Sequence, residues 1–274
     1  MFHMEKKIII LGANADIGFN IASMYADDGF EVVGTYRKEN ENSISLRKRS
    51  NVSLFQLDVF NKSDTPNFLA FLKNNHFEWT GIFDSIGSSE PIGGFFDTSF
   101  EEWEKSVVLN FSSQMRLIHA LYELRDRSAL VSINLMAGGG TNNAMKNYSA
   151  YNVSKVALIK MCEIIHEEYE DVKIQIIGPG YVRTKTHLET LKAKENAGMA
   201  YEVVKAFLDS DDPGTSFEDI YKCLRWIDES DKATTSGRNF SVVHDSWGSV
   251  PLEKALKASP DMYKMRRHGN NYLK

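Results

Sequence analysis

The sequence predicts a single α/β domain in which a mostly parallel sheet carries helices on both faces. Three observations predict it. Short strand-like runs rich in β-branched residues, such as Lys6–Leu11, Glu31–Tyr36 and Val172–Ile177, recur along the 274 residues. Stretches with helical spacing separate them, which is the pattern of strand-helix-strand units rather than of hairpins. The runs also end in glycine, proline or small polar residues, the first at Gly12-Ala13-Asn14-Ala15-Asp16-Ile17-Gly18.

The first strand, Lys6–Leu11, is apolar enough to be buried on both faces. A helix follows the glycine turn, with apolar positions at Ile17, Ile21, Met24 and Tyr25. Strand, glycine turn and helix N-terminus together make an anion site: free amides and the positive end of the dipole face the turn, and missing side chains admit a pyrophosphate. Asp16 reads as the helix N-cap. The second strand, Glu31–Tyr36, runs into Arg37 and Lys38 with no acid at its end, and that suits the 2′-phosphate of NADP better than the free ribose of NAD. The third strand, Val52–Leu57, closes on Asp58 and Val59, with a helix from Ser63 to Asn75. The fourth, Gly81–Ile86, ends at Gly87, and a long helix from about Phe100 to Leu124 carries Asn110 in its middle. Asparagine competes for backbone bonds inside a helix, so a dedicated role is expected there.

The fifth strand, Ala129–Leu135, leads through a glycine-rich loop, Gly138–Asn147, into a long helix opening near Tyr148. Tyr151 and Lys155 lie four apart on one helix face. The same spacing recurs at Tyr169/Lys173, Tyr181/Lys185 and Tyr201/Lys205, so context decides. Only Tyr151/Lys155 opens a helix directly behind an apolar strand, where open α/β sheets place their ligand crevice. A phenol titrates near pH ~10, and lowering it to about 7 or 8 asks roughly 3 to 4 kcal/mol of the site. A partly desolvated Lys155 is expected to supply that and so make Tyr151 a general acid.

Strand Val172–Ile177 stops at Gly178-Pro179-Gly180, and Tyr181, Val182, Arg183 and Thr184 follow. The helical stretch from about His187 to Leu208 is expected to lie over the cleft as a lid. Near it Lys185, His187, Lys192 and Lys194 are interleaved with Glu189 and Glu195, which reads as a solvated face. A helix Phe217–Glu229 and a last strand Asn239–Val243 complete residues 1–245, the expected catalytic domain. Residues 246–274, with Trp247, Tyr263 and Tyr272, are too aromatic for a disordered linker and are expected to pack on this domain or a neighbouring subunit.

Composition excludes several classes. An apolar share of 42% fills a large core, and no segment reaches the ~20 apolar residues of a membrane span. A net charge of −5 without a basic stripe argues against nucleic acid. The seven scattered histidines predict no metal site, and Cys162 and Cys223 read as small core residues. The N-terminus shows no signal-peptide pattern, so the expected location is cytoplasmic.

From Lys6 to Asp245 the chain resembles the short-chain dehydrogenase/reductase family. Gly12–Gly18 is similar to its cofactor loop, Asp58-Val59 to its adenine contact, Asp84-Ser85-Ile86-Gly87 to its Asn-Asn-Ala-Gly turn, and Asn110, Tyr151 and Lys155 to its catalytic residues. Pro179-Gly180 with Thr184 is similar to its nicotinamide-side loop. The resemblance implies a Rossmann-like sheet of about seven strands in the order 3-2-1-4-5-6-7. It also implies NADP, with NAD possible, held by Gly12, Asn14, Ile17, Gly18, Arg37, Asp58, Val59, Gly87, Tyr151, Lys155, Pro179, Gly180, Val182 and Thr184. Lys155 would hold the nicotinamide ribose and Asn110 a water that returns the proton. The implied activity is the interconversion of an alcohol and a carbonyl on a small polar molecule. Alternatives are a non-catalytic NADP(H)-sensing protein and, more remotely, a nucleotide-sugar epimerase or dehydratase. One departure stands out: the family's serine at the end of the fifth strand aligns with Ala137, leaving Thr141 or Asn142 to substitute. Val156, Ile159, Met161, Cys162, Ile164 and Ile165 are more apolar positions than one buried stripe requires. With the resemblance they imply a homodimer or homotetramer paired through this helix.

Overall fold

The computed structural model describes residues 6–268, so the expectations touching Tyr272 and the first five residues lie outside the described residues. In chain order the elements are β1 (Lys7–Leu11), α1 (Asp16–Asp27), β2 (Glu31–Tyr36), α2 (Glu41–Leu46), β3 (Val52–Gln56), α3 (Asp64–Asn74), β4 (Gly81–Asp84), α4 (Phe100–Val107), α5 (Ser113–Leu121), β5 (Val131–Met136), α6 (Ser149–Glu168), β6 (Val172–Gly178), α7 (Lys185–Ala193), α8 (Met199–Asp209), α9 (Phe217–Glu229), α10 (Lys232–Thr235), β7 (Asn239–Ser241) and α11 (Val250–Ala258). The strands form one sheet in the order β3-β2-β1-β4-β5-β6-β7, every pair parallel, as the sequence predicts. Strand order reverses between β1 and β4, whose last residues Leu11 and Asp84 are register partners. A crevice therefore opens beyond their C-terminal ends.

The period of two along each strand divides the core. Ile8, Ile10 and Val32 join Ile21, Tyr25, Leu224 and Leu256 on the face covered by α1, α9 and α11. Ile9, Leu11, Ile133 and Leu135 join Phe68, Leu117, Leu158 and Cys162 on the face covered by α3, α5 and α6. Each of these large side chains contributes about 1.5–3 kcal/mol by leaving water. Both cysteines are free and buried.

Three segments depart from the expectation. The long helix around Asn110 is interrupted by a π-helical turn at Val108–Ser112, which widens the ladder where a polar side chain must turn inward. The stretch expected as one lid helix breaks at Lys194 and Gly198, both with positive φ. Asp16 is not the N-cap of α1: Ala15 occupies that position and Asp16 is the first helical residue. The sequence also gave no notice of α2, which Asn40 and Ser43 start with a reciprocal capping box.

The C-terminal segment is held to the sheet by one buried cation. Arg238, 2% exposed, donates to Leu256 O at 2.8 Å, to Ser259 O at 3.3 Å and to Met262 O, thereby collecting the carbonyls that end α11 and the turn after it. Glu163 on α6 takes Met265 N at 2.6 Å and the Arg266 guanidinium at 2.7 Å. Replacing Arg238 by Met leaves these carbonyls buried and unpaired, so Arg238→Met is expected to lower the unfolding free energy by about 2–4 kcal/mol. A denaturant titration measures the loss, and limited proteolysis should cut first beyond residue 245.

Candidate active site

Two continuous clefts occupy the crevice, a larger one of about 1180 Å³ and a groove of about 830 Å³. They meet at Ala15, Asp16 and Ser85–Ser88. The groove is floored by the glycine turn. Gly12 has φ +78°, and a Cβ on Gly18 would lie 2.3 Å from Gly12 O and 2.6 Å from Ser85 Oγ, so no larger residue fits there. Asn14 ties this turn to the end of β2, donating to Lys38 O at 2.7 Å and accepting from Asn40 and Asn42. Arg37, exposed, lines the groove beside Lys38, with Asp58 and Val59 opposite. This cradle fits a dinucleotide: bare backbone at a helix N-terminus for the phosphates, and a basic end for a further phosphate.

The larger cleft assembles residues far apart in sequence. Gly87 brings three of the predicted positions together, since a Cβ on it would lie 3.1 Å from Asn110 Oδ1 and 3.8 Å from Lys155 Nζ. Asn110 is fully buried. Its Oδ1 accepts from Ser88 N at 3.1 Å, and its Nδ2 donates to Ser88 O, Ser106 O and Ser106 Oγ. The side chain thus spans from the π turn to the loop after β4, and a bound water would have to use another group, such as a main-chain carbonyl. Gly180, at φ +78°, stands where a Cβ would meet Val243 and Thr215. Ile17, Pro179, Val182 and Thr184 line the same cleft.

Neither residue at the end of β5 brings a hydroxyl to Tyr151. Ala137 borders the cleft but packs within the core on the α6 side. Gly138 comes closest: a Cβ there would lie 2.2 Å from Tyr151 Oη. Its bare backbone gives the phenol its room. Thr141 and Asn142 line the cleft from the loop.

Tyr151 and Lys155 share a face of α6, with the ammonium 5.6 Å from the ring centroid. The expected depression of Tyr151 is absent. Burial first, and then the carboxylate of Glu189, push its phenol up to about 12. The Lys155 ammonium is turned toward β5 instead, donating to Met136 O at 2.8 Å. Burial lowers Lys155 to about 8, with Asp84 acting against it. The phenol therefore keeps its proton throughout the physiological range.

The segment expected to form a lid borders both clefts and is fastened by contacts that sequence reading missed. Asp16 Oδ2 accepts from Lys185 N at 2.8 Å. Glu189 Oε2 accepts from Ser89 N at 2.9 Å and Ser89 Oγ at 2.7 Å, and Tyr148 donates to Thr190 Oγ1 at 3.0 Å. Glu189 thus belongs to the site and not to the solvated face its charged neighbours suggested. His187 stacks on Tyr181 at 5.8 Å and meets Phe207 edge-on at 5.4 Å. Among the described residues no group of three or more metal-ligating side chains is found, and no helix is long and apolar enough to cross a membrane.

The chain is similar to known proteins along most of its length. A family profile described as enoyl-(acyl carrier protein) reductase matches residues 12–212. Dehydrogenase/reductase SDR family member 4 of Sus scrofa is 24% identical over 192 residues, covering 66% of this chain and 67% of that protein. Short-chain dehydrogenase reductase 3c of Arabidopsis thaliana is 25% identical over 166 residues, covering 57% of this chain and 62%, less than two thirds, of the relative. Among solved structures, a short-chain dehydrogenase/reductase from Saccharomyces cerevisiae superposes with a TM-score of 0.77 at 18% identity, over 89% of this chain and 98% of that one. A short-chain dehydrogenase from Shigella flexneri 2a, complexed with NADP, gives 0.71 at 20% identity, over 87% and 97% of the two chains. A 4-hydroxyisoleucine dehydrogenase complexed with NADH gives 0.72 at 23%, over 86% and 96%.

Because Glu189 is the second cause of the raised Tyr151, Glu189→Gln is expected to let Tyr151 ionise at lower pH. Ultraviolet titration of tyrosinate, with Tyr151→Phe as the blank, measures it. An unmoved titration would mean that the carboxylate does not reach the phenol.

Proposed function

This chain belongs to the short-chain dehydrogenase/reductase family, whose members are oxidoreductases that bind NAD(P), and on that premise we propose that it interconverts an alcohol and a carbonyl on a small polar substrate with NADP as cofactor. The observation that carries the reading is the placement of Tyr151 and Lys155. They open α6 behind β5, in a cleft continuous with the glycine turn.

The amides at the start of α1 and the bare backbone of Gly12 and Gly18 would hold the pyrophosphate, and Arg37 with Lys38 the 2′-phosphate. Gly87, Pro179, Gly180, Val182 and Thr184 would border the nicotinamide half. When bound, the cofactor supplies or accepts the hydride. In reduction Tyr151 gives its phenolic proton to the carbonyl oxygen, and a phenol raised to about 12 arrives protonated for that task. To stabilise the phenolate left behind, the Lys155 ammonium turns from Met136 O toward the phenol, and a water held at a main-chain group near Asn110 returns the proton. Closure of the lid segment over a bound substrate would exclude water. Neither Ala137 nor Gly138 offers a hydroxyl to the oxyanion, and a missing donor costs ~10² to 10³ in rate. Thr141, Asn142 or a hydroxyl on the substrate would make up the loss.

The two buried, unpaired thiols suit a reducing, cytoplasmic location. On α6, Val153 at 48% and Ile164 at 39% exposure form an outward apolar stripe with the half-buried Met161, which supports a homodimer or homotetramer through that helix.

Two measurements test the reading. NADPH should bind more tightly than NADH, and Arg37→Ala should narrow the gap by about tenfold or more, as loss of a charged phosphate contact implies. Equal affinities in the wild type would remove NADP from the proposal. Tyr151→Phe should lower turnover on a panel of carbonyl compounds by about 10²- to 10⁴-fold while cofactor affinity holds. Undiminished turnover would exclude the tyrosine as proton donor.

A further inference from the structure

Asp84 is a buried carboxylate that the mechanism above leaves without a task. It ends β4 where the family resemblance expects a neutral asparagine, and it is 1% exposed. The alternation along β4 and its register partner Leu135 put its side chain on the face that α6 covers. Oδ1 accepts from Ile86 N at 2.9 Å, whereas Oδ2 is buried with no hydrogen-bond partner. Lys155 comes from α6 on the same face, 3% exposed, with one bond to Met136 O, the residue after Leu135. An ammonium carries three donors. A buried charge left alone is costly, and two of opposite sign on one face offset part of that cost for each other.

We propose that Asp84 is a positioning residue that holds Lys155 in its charged form behind Tyr151, so that the ammonium persists in a cleft dry enough to discharge it. The inference rests on the reading of Tyr151 and Lys155 as the proton-handling pair. The groups around Lys155 support it. From β4 comes Asp84, from α6 Tyr151, and from the π turn the neutral, fully engaged Asn110; Glu189 of the lid acts on Tyr151. Burial raises Asp84 to about 7 while the Ile86 amide and Lys155 act against it, and Asp84 in turn acts against the discharge of Lys155.

Asp84→Asn keeps an acceptor for Ile86 N and removes the charge. The first readout needs no turnover. A carboxyl whose folded value is about 7 against an ordinary 3.8 makes the folded state bind its proton more tightly than the unfolded chain does. Its contribution to stability is therefore present below about 4 and lost as pH rises to about 7. The melting temperature of the variant minus that of the wild type should accordingly grow across that window. The second readout is the alkaline limb of kcat/KM for reduction with NADPH. It should move to lower pH by about one pH unit or more, because Lys155 loses the charge that keeps it protonated. The melting difference establishes the buried carboxyl, and the alkaline limb separates the two readings, because a purely structural Asp84 would leave that limb unmoved. A pH-independent melting difference overturns the proposal, and so does an unmoved limb. If the wild type reduces no carbonyl, the family-based function fails while carboxyl-carbon NMR still decides the role of Asp84, whose titration must shift in Lys155→Met. Should the variant not fold, carboxyl-carbon NMR of the wild type decides: the proposal requires an aspartate titrating near 7 that shifts in Lys155→Met, and its absence overturns it.

Discussion

One hydrogen bond, from the Lys155 ammonium to the main-chain oxygen of Met136, ties the opening turns of α6 to the end of β5. The candidate chemistry is arranged around it. It directs a cation into the interior, where burial discharges it toward about 8, and turns it away from the phenol four residues earlier. Tyr151, left without that help, rises to about 12. Dehydration, more than pairwise attraction, sets the resting state of both groups. The nearness of Asp84 and the bare backbone of Gly87 and Gly138 then matter because they decide what else can approach the pair.

The lid adds a second constraint of the same kind. Two of its fastenings are carboxylates, Asp16 against Lys185 N and Glu189 against Ser89, both lining the groove that would receive phosphates. An anion entering at the start of α1 meets a favourable dipole and an unfavourable Asp16 together. The groups that close the cleft are thus placed to resist the ligand that the cradle attracts.

How much of this was legible in the sequence depends on the range of the interaction. β2, at Glu31–Tyr36, and α9, at Phe217–Glu229, were readable to the residue, because period and flanking turns are local. Gly12 and Gly18 announced the tight turn between β1 and α1, and Asn110, out of place in a helix, announced a special position without revealing the π turn that accommodates it. Contacts between distant residues left no trace. Ser89 and Glu189 are 100 positions apart, and alternating charges near Glu189 pointed to solvent. Asp16 followed the rule for a cap and was displaced one position by Ala15. The value for Tyr151 was misjudged because the i, i+4 spacing gives proximity but not the direction in which a long lysine side chain turns.

The segment after β7 also finishes the sheet. β7 is a three-residue edge strand, and the amide of its first residue, Asn239, is taken by Tyr263 O at 3.0 Å, with the Tyr263 ring set edge-on against Phe240 at 5.7 Å. An open edge is a template on which another chain can add a strand. By placing its own backbone there, the protein blunts that edge within the same chain. The C-terminal segment thus covers the Asn239 amide while Asp245 takes that of Ser241, and without the segment the Asn239 N–H would stand open to strand pairing.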